Sequence, residues 1–63
     1  MNYQTIYVSD MVKARAYIDD TIDGDYENYK VGRTRHSFIL SNLQGEIVLI
    51  VAMGIKPRGR IHR

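Results

Sequence analysis

The chemistry this sequence can do is carried by its cations. Seven of its nine lysines and arginines fall after residue 29: Lys30, Arg33, Arg35, Lys56, Arg58, Arg60 and Arg63. Fixed positive charge gathered in one part of a chain is the footprint of a phosphate-binding surface, and such a surface holds nucleic acid without reading its sequence. The division of charge is sharp. Residues 1–29 set Lys13 and Arg15 against Asp10, Asp19, Asp20, Asp23, Asp25 and Glu27, a net of −4, whereas residues 30–63 set the seven cations against Glu46, a net of +6. The bland reading of such a run is a solvated surface.

The remaining polar groups narrow the chemistry. His36 and His62 are the side chains that ordinarily titrate near neutral pH, and without cysteine they cannot complete a structural zinc site. No metal and no cofactor is expected. The acidic stretch Asp19 to Glu27, DDTIDGDYE, invites a calcium reading, but its spacing is not that of an EF-hand loop. A solvated helix end and turn is the simpler account and a protein-binding acidic patch the next, with Tyr26 and Tyr29 between the charges as packing anchors rather than contact residues.

These groups must be positioned by a small α+β fold. Ile47 to Met53 (IVLIVAM) contains no polar residue and is rich in β-branched side chains, so it reads as a central strand covered on both faces. Tyr3 to Val8 (YQTIYV) reads as an edge strand. Ser9 and Asp10 then offer capping oxygens, and Met11, Ala14, Ile18 and Ile22 fall on one face of a helix stopped by Gly24. Arg35 to Ser41 is the second strand, with His36, Phe38 and Leu40 on one face; Asn42 to Gly45 makes a hairpin turn in which Gly45 takes positive φ. The expected topology is β-α-β-β: a three-stranded antiparallel sheet in the order 1-3-2, with one helix on one face. Residues 55–63 form a basic tail beyond the sheet, where Pro57 removes a backbone donor.

Sixty-three residues make a single domain, and a chain so short hides only about 60% of the surface that it exposes when unfolded. Lacking disulfides, it gains burial by association. A homodimer or a host protein partner over the uncovered sheet face is expected, with whichever of Val48 and Leu49 points away from the helix at the contact. The opening MNYQTIYVSD has no signal-peptide pattern and no apolar run is long enough to span a membrane, so the expected location is the cytoplasm, with no membrane partner.

From Tyr29 onward, YKVGRTRHSF and GEIVLIVAMGIKPRGRIHR, the chain resembles the C-terminal half of RelE-type toxins of bacterial toxin–antitoxin pairs. Val31, Gly32 and Arg35 stand in the family's basic strand and turn; Val51, Ala52, Gly54, Lys56, Arg58 and Ile61 stand in its closing strand and basic end. The resemblance implies a ribosome-associated mRNA endonuclease or, in the gyrase-poisoning branch, a toxin without nuclease activity. Cleavage of RNA through its own 2′-hydroxyl needs a base and cations around the developing phosphorane. By this resemblance Arg35 and Lys30, joined by Lys56 or Arg58, supply the cations. His62, where many members carry tyrosine, supplies the base. The family places two helices before the matching segment, and this chain has room for one.

A different class fits the same residues. A short chain with an uncovered apolar sheet face and an exposed edge strand suits a non-catalytic binding protein of the phage or mobile-element kind, docking on a host protein or a nucleic-acid complex. A plain nucleic-acid-binding module is the third reading.

Overall fold

The computed structural model describes residues 3–54. In chain order the elements are β1 (Gln4–Val8), α1 (Met11–Ile22), one 3-10 turn (Tyr26–Asn28), β2 (Tyr29–Arg33), β3 (Ser37–Asn42) and β4 (Ile47–Met53). They form an α+β unit, one helix against a four-stranded mixed sheet of order β1-β4-β3-β2. The apolar strand β4 sits between β1 and β3, the neighbours its composition demands. Two details of the sequence reading are corrected. There are four strands rather than three, and β4 runs parallel to β1 while β2 and β3 pair antiparallel along the rest of the sheet.

The two corrections have one cause. Each hairpin reverses the chain, so the unforeseen strand β2 adds a reversal and turns β4 from antiparallel to parallel with β1. β2 was hard to foresee because only Tyr29 and Val31 supply its apolar alternation. Its other residues are Lys30, Gly32 and Arg33, all exposed, and charges and glycine are what natural edge strands carry.

The helix begins and ends as its sequence dictates. The Asp10 carboxylate accepts the Lys13 N–H at 2.8 Å, a cap of the kind that contributes about 1 kcal/mol. At the other end Asp23 adopts a left-handed conformation (φ 52°), its N–H donating to the Asp19 carbonyl, and Gly24 follows at φ 85°. The buried face is Ala14, Ile18 and Ile22, packed on Phe38, Leu40, Leu49 and Val51. The helix lies over β4, β3 and β1. Ile6, Val8, Met11, Tyr29 and Val31 close the margin of this core.

β3 and β4 are joined through Asn42, whose side-chain oxygen accepts from the N–H groups of Gln44 and Glu46 at 3.0 and 2.9 Å, with Gly45 at φ 87°. Just beyond the turn the register shifts: Leu40 faces Leu49 and Ser41 faces Ile47, leaving Val48 as the extra residue of a bulge. Leu49 is buried against the helix and Val48 is exposed.

Among the described residues, α1 lies over one face of β4 and no other element of the chain lies over the second. Its far side carries Ile50 and Ala52, beside Thr5 and Tyr7 of β1 and Ile39 and Ser37 of β3. These side chains, Thr5 apart, are half-buried. Lateral contact with the flanking strands shelters these side chains in part. Among the described residues, no helix is long and apolar enough to cross a membrane.

Candidate nucleic-acid interface

The strand directions decide where the charge goes. β1 ends at Val8 beside the end of β4, with Gly54 N–H donating to the Val8 carbonyl at 2.9 Å. On the other side of β4, Met53 N–H donates to the His36 carbonyl at 2.7 Å. The β2–β3 turn, the ends of β1 and β4 and the start of α1 therefore share one end of the sheet. Arg33 and Arg35 stand at this end, and Gly54, the last described residue, is the root of the tail.

The turn that carries Arg35 is held by its own side chains. The Thr34 and Ser37 hydroxyls are 2.6 Å apart, Thr34 N–H donates to the Ser37 carbonyl at 2.9 Å, and His36 N–H donates to the Thr34 hydroxyl at 3.3 Å. Arg35 and His36 are exposed there. Arg33 pairs opposite Phe38 on the helix side of the sheet, with its guanidinium carbon 5.6 Å from the ring centroid. Arg15 reaches the same ring from α1 at 5.8 Å. The two cations flank a groove of about 420 Å³ floored by Phe38 and walled by Met11, Val12 and Ala16. Such cation–aromatic contacts each contribute about 0.5–1 kcal/mol at exposed sites.

Arg15 and Asp19 went unnoticed in the sequence as a site pair, although four residues apart on a helix is the spacing at which opposite charges meet. Arg15 Nε donates to Asp19 at 3.2 Å, and the Tyr26 hydroxyl donates to the same carboxylate at 2.8 Å. Tyr29 is the packing residue expected of it, but Tyr26 is exposed and serves as a hydrogen-bond donor. The Tyr26 hydroxyl, and after it the Arg15 guanidinium, holds the Asp19 carboxyl below its ordinary value. A depressed acid contributes stability that is present above its unfolded value, near ~3.9, and lost as pH falls through the lower folded value. Tyr26→Phe should therefore raise the Asp19 titration midpoint towards the ordinary range, followed by carboxyl-carbon NMR. An unmoved midpoint would rule out the hydroxyl as the cause.

Lys30 is not with Arg33 and Arg35. It pairs opposite Ser41 on the uncovered side of the sheet, about 10 Å of strand from Arg33 at ~3.3 Å per residue. That end also receives the far end of α1 and the β3–β4 turn, and so holds Asp20, Asp23, Asp25, Glu27 and Glu46. Charge is thus divided along the strand axis in net terms: Lys13, Arg33 and Arg35 outweigh Asp10 at one end, and these five carboxylates outweigh Lys30 at the other. Among the described residues, no group of three or more His, Asp or Glu side chains is placed to hold a metal ion. Lys56, Arg58, Arg60, His62 and Arg63 lie outside the described residues. No family model, no curated protein and no solved structure matches this chain.

Proposed function

We propose that this chain is a small non-catalytic binding protein that docks through its basic end on the phosphates of a nucleic acid or nucleic-acid complex. One observation carries the reading: the topology brings Arg33 and Arg35 to the end of the sheet from which the tail, with Lys56, Arg58, Arg60 and Arg63, continues. Guanidinium groups bind phosphate in bidentate geometry without reading bases, so the interaction is sequence-tolerant and sensitive to salt. Exposure favours the same reading. Arg35 stands on a turn tied by its own hydrogen bonds, and the groove beside Arg33 is open.

The test is titration of a labelled RNA or DNA duplex of arbitrary sequence with the full chain at several salt concentrations. Replacement of Lys56, Arg58, Arg60 and Arg63 by glutamine should remove most of the binding while leaving the far-ultraviolet circular dichroism unchanged. Equal affinity in parent and variant would sink the proposal.

A second reading, a RelE-like ribosome-associated mRNA endonuclease, draws on the same observation, since Arg35 and the root of the segment bearing His62 share one end. On that reading Arg35 stabilises the phosphorane and His62 takes the 2′-proton, and loss of either costs two or more orders of magnitude in rate. Lys30, at the opposite end of β2, is not placed to join Arg35. The binding proposal expects ribosome-bound mRNA to stay intact on expression of the protein, with His62→Ala changing duplex affinity less than about twofold, within the range of a peripheral contact. Cleavage abolished by Arg35→Ala and His62→Ala would decide for the nuclease.

A further inference from the structure

The two edges of the sheet are built differently. β2 carries Lys30, Gly32 and Arg33, the charges and glycine that discourage strand addition. β1, Gln4–Val8, has neither charge, proline nor glycine, and among the described residues no bulge interrupts it. Among the described residues, the side of its backbone away from β4 has no hydrogen-bond partner, in a definite pattern. The Val8 carbonyl faces β4, where it accepts from Gly54. Alternation along the strand then turns the N–H and C=O groups of Gln4, Ile6 and Val8 towards β4 and those of Thr5 and Tyr7 outwards.

We propose that two copies of this chain associate by antiparallel pairing of β1 with β1 about a two-fold axis through Ile6. In that register Thr5 of one copy faces Tyr7 of the other, twice over. These are the residues whose backbone groups point outwards, and each pair exchanges both of its N–H···O bonds. Thr5 and Tyr7 side chains lie on the same sheet face, so each pair also sets an aromatic against a β-branched side chain. Charge favours the same partner and the same direction. β1 runs from the end where the carboxylates outweigh Lys30 to the end where Lys13, Arg33 and Arg35 outweigh Asp10, so antiparallel pairing lays the net-acidic end of each copy beside the net-basic end of the other. Pairing β2 with β2 about its middle would instead bring Lys30 of each copy near Arg33 of the other. The contact closes on itself by symmetry, where β1 on β2 would propagate into a fibre. It is smaller than a standard interface of about 1,600 Å², so the dimer is a weak one.

Sedimentation equilibrium of the full chain over about 10–500 µM at low salt reads the association, a range matched to an interface of less than standard size. A monomer–dimer equilibrium is expected, weakened by salt. Thr5→Lys with Tyr7→Lys puts like charges in both facing pairs and should give a monomer. Thr5→Lys with Tyr7→Glu puts opposite charges there and should restore the dimer. Ile50→Asp, on the uncovered face, should leave it intact. The parent itself supplies a readout that needs no variant: hydrogen-exchange protection of the Thr5 and Tyr7 amides should rise about tenfold across the concentration range. A parent that stays monomeric throughout, fibres in place of dimers, or a dimer broken by Ile50→Asp with Thr5 and Tyr7 amides unprotected would each overturn the inference.

Discussion

Raising salt from about 50 to about 200 mM should weaken binding of this protein to a DNA duplex by about three orders of magnitude. The figure follows from counterion release at ~0.9 ions per phosphate neutralised. Arg33, Arg35, Lys56, Arg58, Arg60 and Arg63 are six cations, so full engagement gives a log–log slope of roughly −5, and roughly −4 on single strands where the coefficient is ~0.7. With the four tail cations replaced by glutamine, two remain, and the same change in salt should cost only about tenfold. Arg35→Ala alone should flatten the slope by about one and weaken binding alike on unrelated sequences. Base readout would betray itself as an Arg35 effect that differs from one sequence to another. Lys30→Ala should leave the slope unchanged, because Lys30 stands at the acidic end. A slope near zero for the parent would remove the nucleic-acid reading altogether.

The sequence was most legible where one requirement dominated. Ile47 to Met53 could hardly be anything but the strand with neighbours on both sides, and the spacing of Met11, Ala14, Ile18 and Ile22 left α1 little choice of buried face. Asn42 to Gly45 likewise carried its turn in its residue types. β2 was illegible because an edge strand is selected partly for not looking like a strand. The bulge at Val48 has no local signal of its own: a register shift is a property of two strands, and neither sequence alone contains it. One missed strand then reversed the direction of β4 relative to β1, an error of parity rather than of propensity.

The site divides in the same way. That the basic half would bind anions could be read from charge alone, yet charge along a chain does not say which cations meet. Lys30 and Arg33 are three residues apart, an odd number, and a strand puts them on opposite faces. Arg15 joins Arg33 over Phe38 only because the helix crosses back over the sheet, a consequence of packing that no spacing within either element reveals. The Asp19 carboxylate, read as one charge in an acidic cluster, is already engaged by Arg15 and Tyr26.

Leu40→Ala should remove most of the stability of this protein. Leu40 is fully buried, facing Val31 on β2 and Leu49 on β4 beneath Ala14, Ile18 and Ile22. It is one of seven residues that make up the buried core of the described chain. Truncating a buried leucine costs about 2–5 kcal/mol through lost transfer energy and the cavity left behind. Domains are stable by only about 0.05–0.15 kcal/mol per residue, which for a chain of this size is roughly 3–9 kcal/mol. The substitution thus takes a large share of the whole, and the urea midpoint followed by circular dichroism should fall accordingly. Val51→Asp is more severe. Val51 is fully buried between Ile6 and Phe38, where a carboxylate would find no cation in the core cluster, and that variant should not fold. Val12→Asp is the control, since Val12 is 80% exposed at the rim of the groove and outside the buried core, and substitutions at such sites usually stay within about 0.5 kcal/mol. If Leu40→Ala and Val12→Asp shift the midpoint equally, the core is not where the packing places it.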